Sequence, residues 1–323
     1  MRRVATCTIL LAAALLWGQG FAQDKQPASW LLFEQGNALV ARKEYGQALQ
    51  QYKSAISSAG IFPEAEMAIG DVFKEEGELE LAEKQYEKAY NLRNAFYISD
   101  SKYDVLYRLA DLFKDQDLFK LMEDRLNAIV ADDKHFQETP NFQQRTQIEK
   151  LFLEKGLDRV LTLYAFDDTF ATEAHSELGW FYYRTGRYAL SVSHLLYSVV
   201  YRMSELKAYM KERDVDFEYS TIQDLLTGAG GSLDTSAYLE RAGLFKDLYY
   251  LAGATFTSGY PQHSMTIWKI IANSAAAGTY RDLSRRQLKA PFVEPLLGVN
   301  RWRSARARIW RRPVGRQNIY YRK

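Results

Sequence analysis

Cysteine is almost absent from this chain of 323 residues, and its absence excludes several kinds of chemistry. Cys7 is the only cysteine, and it lies within residues 1–22, which have the features of a removable export signal. A mature chain without a thiol forms no disulfide, offers no thiolate to a metal ion and has no cysteine nucleophile. Such a chain is compatible with an oxidising compartment.

Histidine is also scarce, and no catalytic motif stands out. The four histidines occur singly, without the His-Glu-x-x-His spacing of zinc hydrolases; they are His135, His175, His194 and His263. We expect His175 and His194 to approach each other on facing helices as structural residues. The glycine-rich run 228–232 lacks the lysine of a phosphate-binding loop and is interpreted as a hinge. The sequence therefore predicts no catalytic residue, metal site or cofactor, and a protein that is not an enzyme. An enzyme on this scaffold would need a carboxylate pair in a cleft.

Long apolar runs are missing except near the N-terminus, at residues 9–17. Arg2 and Arg3 precede that run, and small residues at 20 and 22 follow it, which is the plan of a secretory signal peptide over residues 1–22. The run is shorter than the roughly 20 residues that a membrane span needs, so an uncleaved anchor is the less favoured alternative. We expect the mature protein to be periplasmic or secreted.

The chain does contain an internal repeat, because one pattern of small and aromatic residues recurs 34 positions further on. The first copy consists of Gly36, Tyr45, Ala48, Tyr52 and Ala55. The second copy consists of Gly70, Leu79, Ala82, Tyr86 and Ala89. A fixed period of this length is typical of stacked helical hairpins, in which small residues let two helices approach and tyrosines fill the space around them.

This spacing resembles the tetratricopeptide repeat family, and the run from Leu178 through Tyr188 is close to the first half of that motif. The resemblance implies an all-α solenoid of antiparallel hairpins with about five to six repeats, some degenerate. An N-terminal region over 24–136 contains the units 29–62, 63–94 and 103–136. A second region over 137–280 contains 142–171, 172–205 and 245–277, with a flexible break near 227–235. Residues 281–323 form a basic tail.

The resemblance also implies that a peptide ligand lies along the concave face, which the first helix of each hairpin lines. The candidate binding residues in the first three units are Phe33, Asn37, Met67, Asp71, Lys74, Tyr107, Asp111 and Lys114, and those in the fourth are Trp180 and Tyr183. Val40 and Ser176 occupy matching positions of the same row in the first and fourth units. The family's clamp for a C-terminal carboxylate needs lysine where Phe33 stands, so that ligand is disfavoured. The alternative is that these are ordinary exposed helix positions.

Charge is distributed unevenly along the chain, although the overall net charge is only +2. Residues 281–323 carry +11, whereas residues 23–280 carry −11. The basic tail has three interpretations: an extension complementary to the acidic body, a device that docks on an anionic surface or acidic partner, or a nucleic-acid contact, which export disfavours. The candidate docking residues are Arg301, Trp302, Arg303, Trp310, Arg311 and Arg312.

The function predicted from these features is an exported scaffold that binds a protein or peptide partner in the bacterial envelope. The alternative is a structural component that the basic tail holds to an anionic membrane surface or an acidic partner. No nucleic-acid partner is expected.

Overall fold

The computed structural model describes residues 28–139, 142–167, 170–231 and 233–294. Over these residues the protein is all-α, with fifteen α-helices and no strand, as the repeat pattern predicted. In the N-terminal half the helices are α1 (Ser29–Ala41), α2 (Tyr45–Ala59), α3 (Pro63–Glu75), α4 (Leu79–Asn91), α5 (Ser101–Asp115) and α6 (Phe119–Val130). They continue as α7 (Gln144–Lys155), α8 (Leu157–Leu163), α9 (Thr172–Arg184), α10 (Tyr188–Arg213) and α11 (Ile222–Gly230). The last four are α12 (Leu233–Arg241), α13 (Leu244–Thr257), α14 (Pro261–Asn273) and α15 (Gly278–Lys289).

Consecutive helices pair as hairpins, and the hairpins stack along one row. The pairs are α1–α2, α3–α4, α5–α6, α9–α10 and α13–α14. Each pair contacts the next, through α2 on α3, α4 on α5, α6 on α9, and α10 on α13. No hairpin buries its apolar side alone, so stacking produces the continuous core.

Close helix crossings follow from the repeated glycine and tyrosine. A Cβ atom at Gly70 would lie 2.6 Å from two ring carbons of Tyr86, so only glycine lets the ring sit there. Gly36 has the same relation to Tyr52. Gly77 ends the first helix of the second unit with a φ of +79°, and Pro63 opens that helix at a position where a missing N–H costs nothing.

Two regions depart from the plain hairpin plan. In the predicted unit 142–171, α8 is short and both helices lie against α10, so α9 packs directly on α6. Around the predicted break near 227–235, α11 runs to Gly230 and α12 starts at Leu233, so two short helices occupy most of that stretch. They pack against the later hairpins and do not form a unit of the row.

The predicted start of the basic tail at residue 281 lies within a helix. Helix α15 crosses that boundary and buries Ser284 and Gln287 against the last hairpin. The next residues turn back: the backbone N–H of Phe292 donates to Gln287 Oε1 (2.8 Å), and Glu294 reaches α9. The predicted signal at 1–22 and the six candidate docking residues between 301 and 312 lie outside the described residues. No helix among those described has the length and apolar character to cross a bilayer.

Candidate functional site

The candidate site lies on the surface formed by the first helices of the hairpins, α1, α3, α5, α9 and α13, which we call the A-helix face. In the first two units a tyrosine from the second helix donates a hydrogen bond to this face. Tyr52 Oη donates to Asn37 Oδ1 (2.8 Å), and Tyr86 Oη donates to Asp71 Oδ1 (2.7 Å). Burial, followed by the nearby carboxylate of Asp71, raises the pKa of Tyr52 to about 12. Both predicted site residues therefore serve the hairpin itself.

The second unit is tied further to the third. Arg108 Nε of α5 donates to Asp71 Oδ1 at 2.7 Å, so one carboxylate joins α3, α4 and α5. Lys74 pairs with Asp115 across the same two A helices at 3.7 Å, in an exposed geometry that contributes little to stability. Phe33 packs its ring against Tyr52, and Met67 packs against the edge of the core.

The third unit breaks this pattern and opens a cleft. Leu126 stands where the tyrosine stands in the first two units, and Ala110 replaces the glycine. A cleft of about 310 Å³ lies at this unit, between α5, α6 and α9. Its lining residues are Tyr107, Ala110, Asp111, Lys114, Met122, Leu126, Glu173 and Glu177. The predicted trio Tyr107, Asp111 and Lys114 is thereby brought together.

The carboxyl groups of the cleft differ in their electrostatic environment. Asp111 has no tyrosine donor, and no ion pair within 4.0 Å involves it among the described residues. Asp111 is an exposed residue, but partial desolvation of its carboxyl group raises the pKa, and the attraction of Lys74 and Lys114 only partly opposes this. Glu177 is half-buried, and the attraction of Lys246 and Lys114 outweighs its desolvation, which lowers the pKa of its carboxyl group.

Glu177 is fully engaged by two lysines from neighbouring hairpins. Lys114 Nζ of α5 donates to Oε2 at 2.5 Å, and Lys246 Nζ of α13 donates to Oε1 at 2.9 Å. Because both carboxylate oxygens are occupied, Glu177 is poorly suited to accept a proton from a substrate. The arrangement instead links three A helices and presents an amphipathic cleft suited to binding.

Trp180 lies on the A-helix face beside the cleft. Its half-buried ring has the ammonium groups of Lys114 and Lys246 each 5.9 Å from the ring centroid. The guanidinium of Arg184 lies 6.0 Å away. Glu173, Glu177, Trp180 and Arg184 follow one another at helical steps of three and four residues, so they share one face of α9.

Two predicted residues of α9 do not lie on the open face. Tyr183 is only 1% exposed, and its ring packs against Gly253 of α13. Ser176 is likewise buried, and its hydroxyl donates to Asp247 Oδ1 at 2.6 Å. Both side chains point toward α13, because positions 176 and 183 lie on a different side of α9 from the exposed row that contains Trp180. Tyr107 is intermediate: it lines the cleft, but its hydroxyl donates to the Phe170 carbonyl oxygen (2.7 Å).

Sequence reasoning missed Leu126, Glu173, Glu177 and Arg184. The first had a signal, since leucine replaces the repeat tyrosine and so predicts missing volume at that crossing. The other three follow the helical row that contains Trp180, but their partners come from other units. Lys246 Nζ and Arg184, for example, find acids 69 and 110 residues away in sequence.

The predicted approach of two histidines is confirmed in the core. His194 Nδ1 lies 3.1 Å from His175 Nδ1, and His175 Nε2 lies 3.0 Å from Asp133 Oδ2. Since the carboxylate requires a donor, a neutral His175 carries its proton on Nε2 and accepts from His194. Tyr201 Oη also donates to Asp133 (2.8 Å), which makes this a structural network. Over the described ranges, no three His, Cys, Asp or Glu residues are grouped as metal ligands.

Comparison with known proteins gives distant relatives. No family model matches the chain. An uncharacterized protein of Treponema pallidum is 22% identical over 229 residues, which are 70% of this chain and 61% of that protein. An uncharacterized protein of Borreliella burgdorferi is 19% identical over 299 residues, covering 83% of this chain and 92% of that one. The chain thus spans less than two thirds of the Treponema protein.

Proposed function

We propose that this protein is an exported scaffold that binds an extended protein or peptide partner on its A-helix face, without a catalytic step. The observation that carries the proposal is the cleft beside Trp180, where the repeat tyrosine is missing and three hairpins converge. A half-buried aromatic ring next to an amphipathic cleft is the kind of anchor on which binding energy concentrates.

The chemistry of the cleft supports an extended peptide as ligand. Ala110, Met122 and Leu126 supply apolar surface for a side chain. Asp111, with no ion pair of its own among the described residues, supplies an acceptor for a backbone N–H or a cationic group. Stacked hairpins extend this surface in one direction, as long ligands require.

Capture of partners from cells tests the proposal. Tagged full-length chain would be cross-linked in its native envelope, purified and compared with Asp111→Asn and Trp180→Ala. We expect both variants to lose the same partners, by about tenfold, which corresponds to roughly 1.4 kcal/mol of binding free energy. Leu81→Ala is the matched control, because Leu81 is 40% exposed on α4, the second helix of its hairpin, and does not belong to the A-helix face. Unchanged partners in both cleft variants would refute the proposal.

A second candidate function concerns the basic tail, and the charge distribution favours it. Residues 295–323 contain nine basic and no acidic residues. A segment of this kind, with Trp302 and Trp310, is suited to hold the scaffold to an anionic surface. Co-sedimentation with anionic lipid vesicles at low and high salt tests it, since screening should abolish the binding. Binding that ignores both salt and the tail arginines would exclude this function.

A further inference from the structure

We infer that the cleft between α5, α6 and α9 selects a long cationic side chain of the bound peptide, of the kind that lysine and arginine carry. This side chain would lay its methylene groups on the apolar wall of the cleft and place its charged end between Asp111 and Glu173. The inference rests on the proposed function, because it names the ligand chemistry of the same site.

Two contacts fix how α5 and α9 lie beside each other at the cleft. Tyr107 Oη of α5 donates to the carbonyl oxygen of Phe170, just before α9, at 2.7 Å. Further along both segments, Lys114 Nζ donates to Glu177 Oε2 at 2.5 Å. The two segments therefore run in the same direction, and the residues between these contacts lie on the two sides of the cleft.

Asp111 on α5 and Glu173 on α9 are the carboxyl groups that lie between these contacts, and both line the cleft. Asp111 forms no ion pair in the described part of the chain, since the nearby ammonium of Lys74 is paired with Asp115 (3.7 Å). Glu173 Oε2 accepts from Arg202 Nη2 at 2.5 Å, yet 59% of the Glu173 side chain is exposed. Both carboxyl groups are therefore accessible to a ligand in the cleft.

The charge of the cleft is complementary to a cation. Its lining contains three carboxyl groups and one ammonium group, that of Lys114, which Glu177 already binds. The ion-pair partners behind the lining do not reverse this sign. Lys246 adds a second positive charge at Glu177, but Arg202 is also held by the buried carboxylate of Asp247. Counted with these partners, the site has four acids against three bases, which favours a cation over an anion.

The apolar wall of the cleft favours a long side chain over a small cation. Ala110, Met122 and Leu126 are each at most 3% exposed, so they form the inner wall. Lysine and arginine bury their methylene stems along apolar surface while the charged end stays at a polar position. The cleft volume of about 310 Å³ lies at the lower end of the range for ligand pockets, roughly 300–1,000 Å³, and therefore suits one side chain.

Titration of the full chain with short peptides of defined sequence tests the inference. The peptides are Gly-Ser-Xaa-Ser-Gly with blocked ends, in which Xaa is lysine, arginine, norleucine or glutamate. Methyl-carbon NMR of methionine follows binding, because Met122 lines the cleft whereas Met265 lies on α14 and serves as the internal control. Met122→Leu and Met265→Leu, which conserve side-chain volume, assign the two signals.

We expect the lysine and arginine peptides to shift the Met122 signal saturably. Their Kd values should be at least about tenfold lower than those of the norleucine and glutamate peptides, because only a cation gains charge-assisted hydrogen bonds from the carboxyl groups. The Met265 signal should not move. Equal Kd values for the four peptides, a preference for glutamate, or a Met122 signal that the lysine peptide leaves unmoved would overturn the inference.

Two variants with the same chemical change separate the site from the total charge. Asp111→Asn should reduce the preference for lysine over norleucine to below about threefold, because only Glu173 remains to bind the cation. Asp124→Asn removes the same charge from an exposed position of α6 outside the lining, and should keep the full preference. Asp111→Lys should bind the glutamate peptide more tightly than the lysine peptide. A full lysine preference in Asp111→Asn would refute the assignment, and unchanged methionine signals show that the variants are folded.

The outcome is separable from that of the proposed function. If the lysine preference is absent while partner capture still depends on Trp180 and Asp111, the face binds partners of another chemistry and the inference alone fails. If the lysine preference depends on Asp111 but both cleft variants keep their partners in the envelope, the cleft recognises a cation and the proposed partner function fails.

Discussion

A change of Gly70 to alanine tests how the hairpins are packed. The added Cβ would lie 2.6 Å from Cδ1 and Cε1 of Tyr86, closer than carbon atoms approach in proteins. Tyr86 is fully buried, and its hydroxyl is held by Asp71, so the ring has no free direction in which to move. Overpacking of this kind costs about 1–3 kcal/mol of the free energy of unfolding.

The third unit contains the compensating change. There, alanine at 110 faces leucine at 126, and both side chains are buried. We therefore expect Gly70→Ala to cost less of the free energy of unfolding in a Tyr86→Leu background than with tyrosine at 86, by about 1–3 kcal/mol, because the smaller leucine can repack around the added Cβ atom. The two changes should show a coupling energy of about 1–3 kcal/mol.

Urea unfolding of the four proteins in this cycle, followed by circular dichroism and by tryptophan fluorescence, measures the coupling. Gly46→Ala on α2 is the control, because a Cβ there meets no atom within 4 Å. It should leave stability unchanged or raise it by up to about 1 kcal/mol. If Gly70→Ala lowers the free energy of unfolding by the same amount with tyrosine and with leucine at 86, then the tyrosine ring is not the reason that the repeat requires glycine.

Three other predictions concern the core. Asp247→Ala should lower the free energy of unfolding by about 3–5 kcal/mol, because it leaves the buried guanidinium of Arg202 without its partner at 2.8 Å. Glu173→Gln, on the exposed side of the same arginine, should lower it by under about 1 kcal/mol. Urea unfolding measures both changes. Ala48→Leu should lower the thermal midpoint, since Ala48 is fully buried at a helix crossing and overpacking costs about 1–3 kcal/mol; an unshifted melt would contradict that placement. Burial lowers the pKa of His194 well below 6.5, so the unfolded chain binds more protons than the folded chain. Stability should therefore fall as the pH drops below 6.5, and His194→Gln should flatten this dependence. An unchanged slope of stability against pH in the variant would contradict this role of His194.

Local pattern was sufficient to predict the helices and their pairing. The 34-residue period and the crossing glycines concern contacts within one hairpin, and Pro63 marks the start of one helix, so each is visible in a short stretch of sequence. The row through Asp111 and Lys114 was likewise accessible, because α5 alone fixes it. These features required no knowledge of distant contacts.

The rest depended on contacts between units. Tyr183 could not be distinguished from Trp180 by period, since both fit an exposed row until α13 covers one of them. The return of residues 290–294 to α9 depends on Gln287 and Arg184, more than a hundred residues apart. The order of the hairpins along the row could not be predicted either, because nothing in residues 142–171 indicates that α9 packs directly on α6.

Photo-cross-linking in the native envelope tests most directly whether the A-helix face is the binding surface. A photoreactive residue would replace Lys74 on α3, and in a control protein it would replace Lys84, an exposed lysine of α4 on the second helix of the same unit. The proposal predicts discrete partner adducts from position 74 and few from position 84. Equal labelling from both positions, or adducts from position 84 alone, would contradict it.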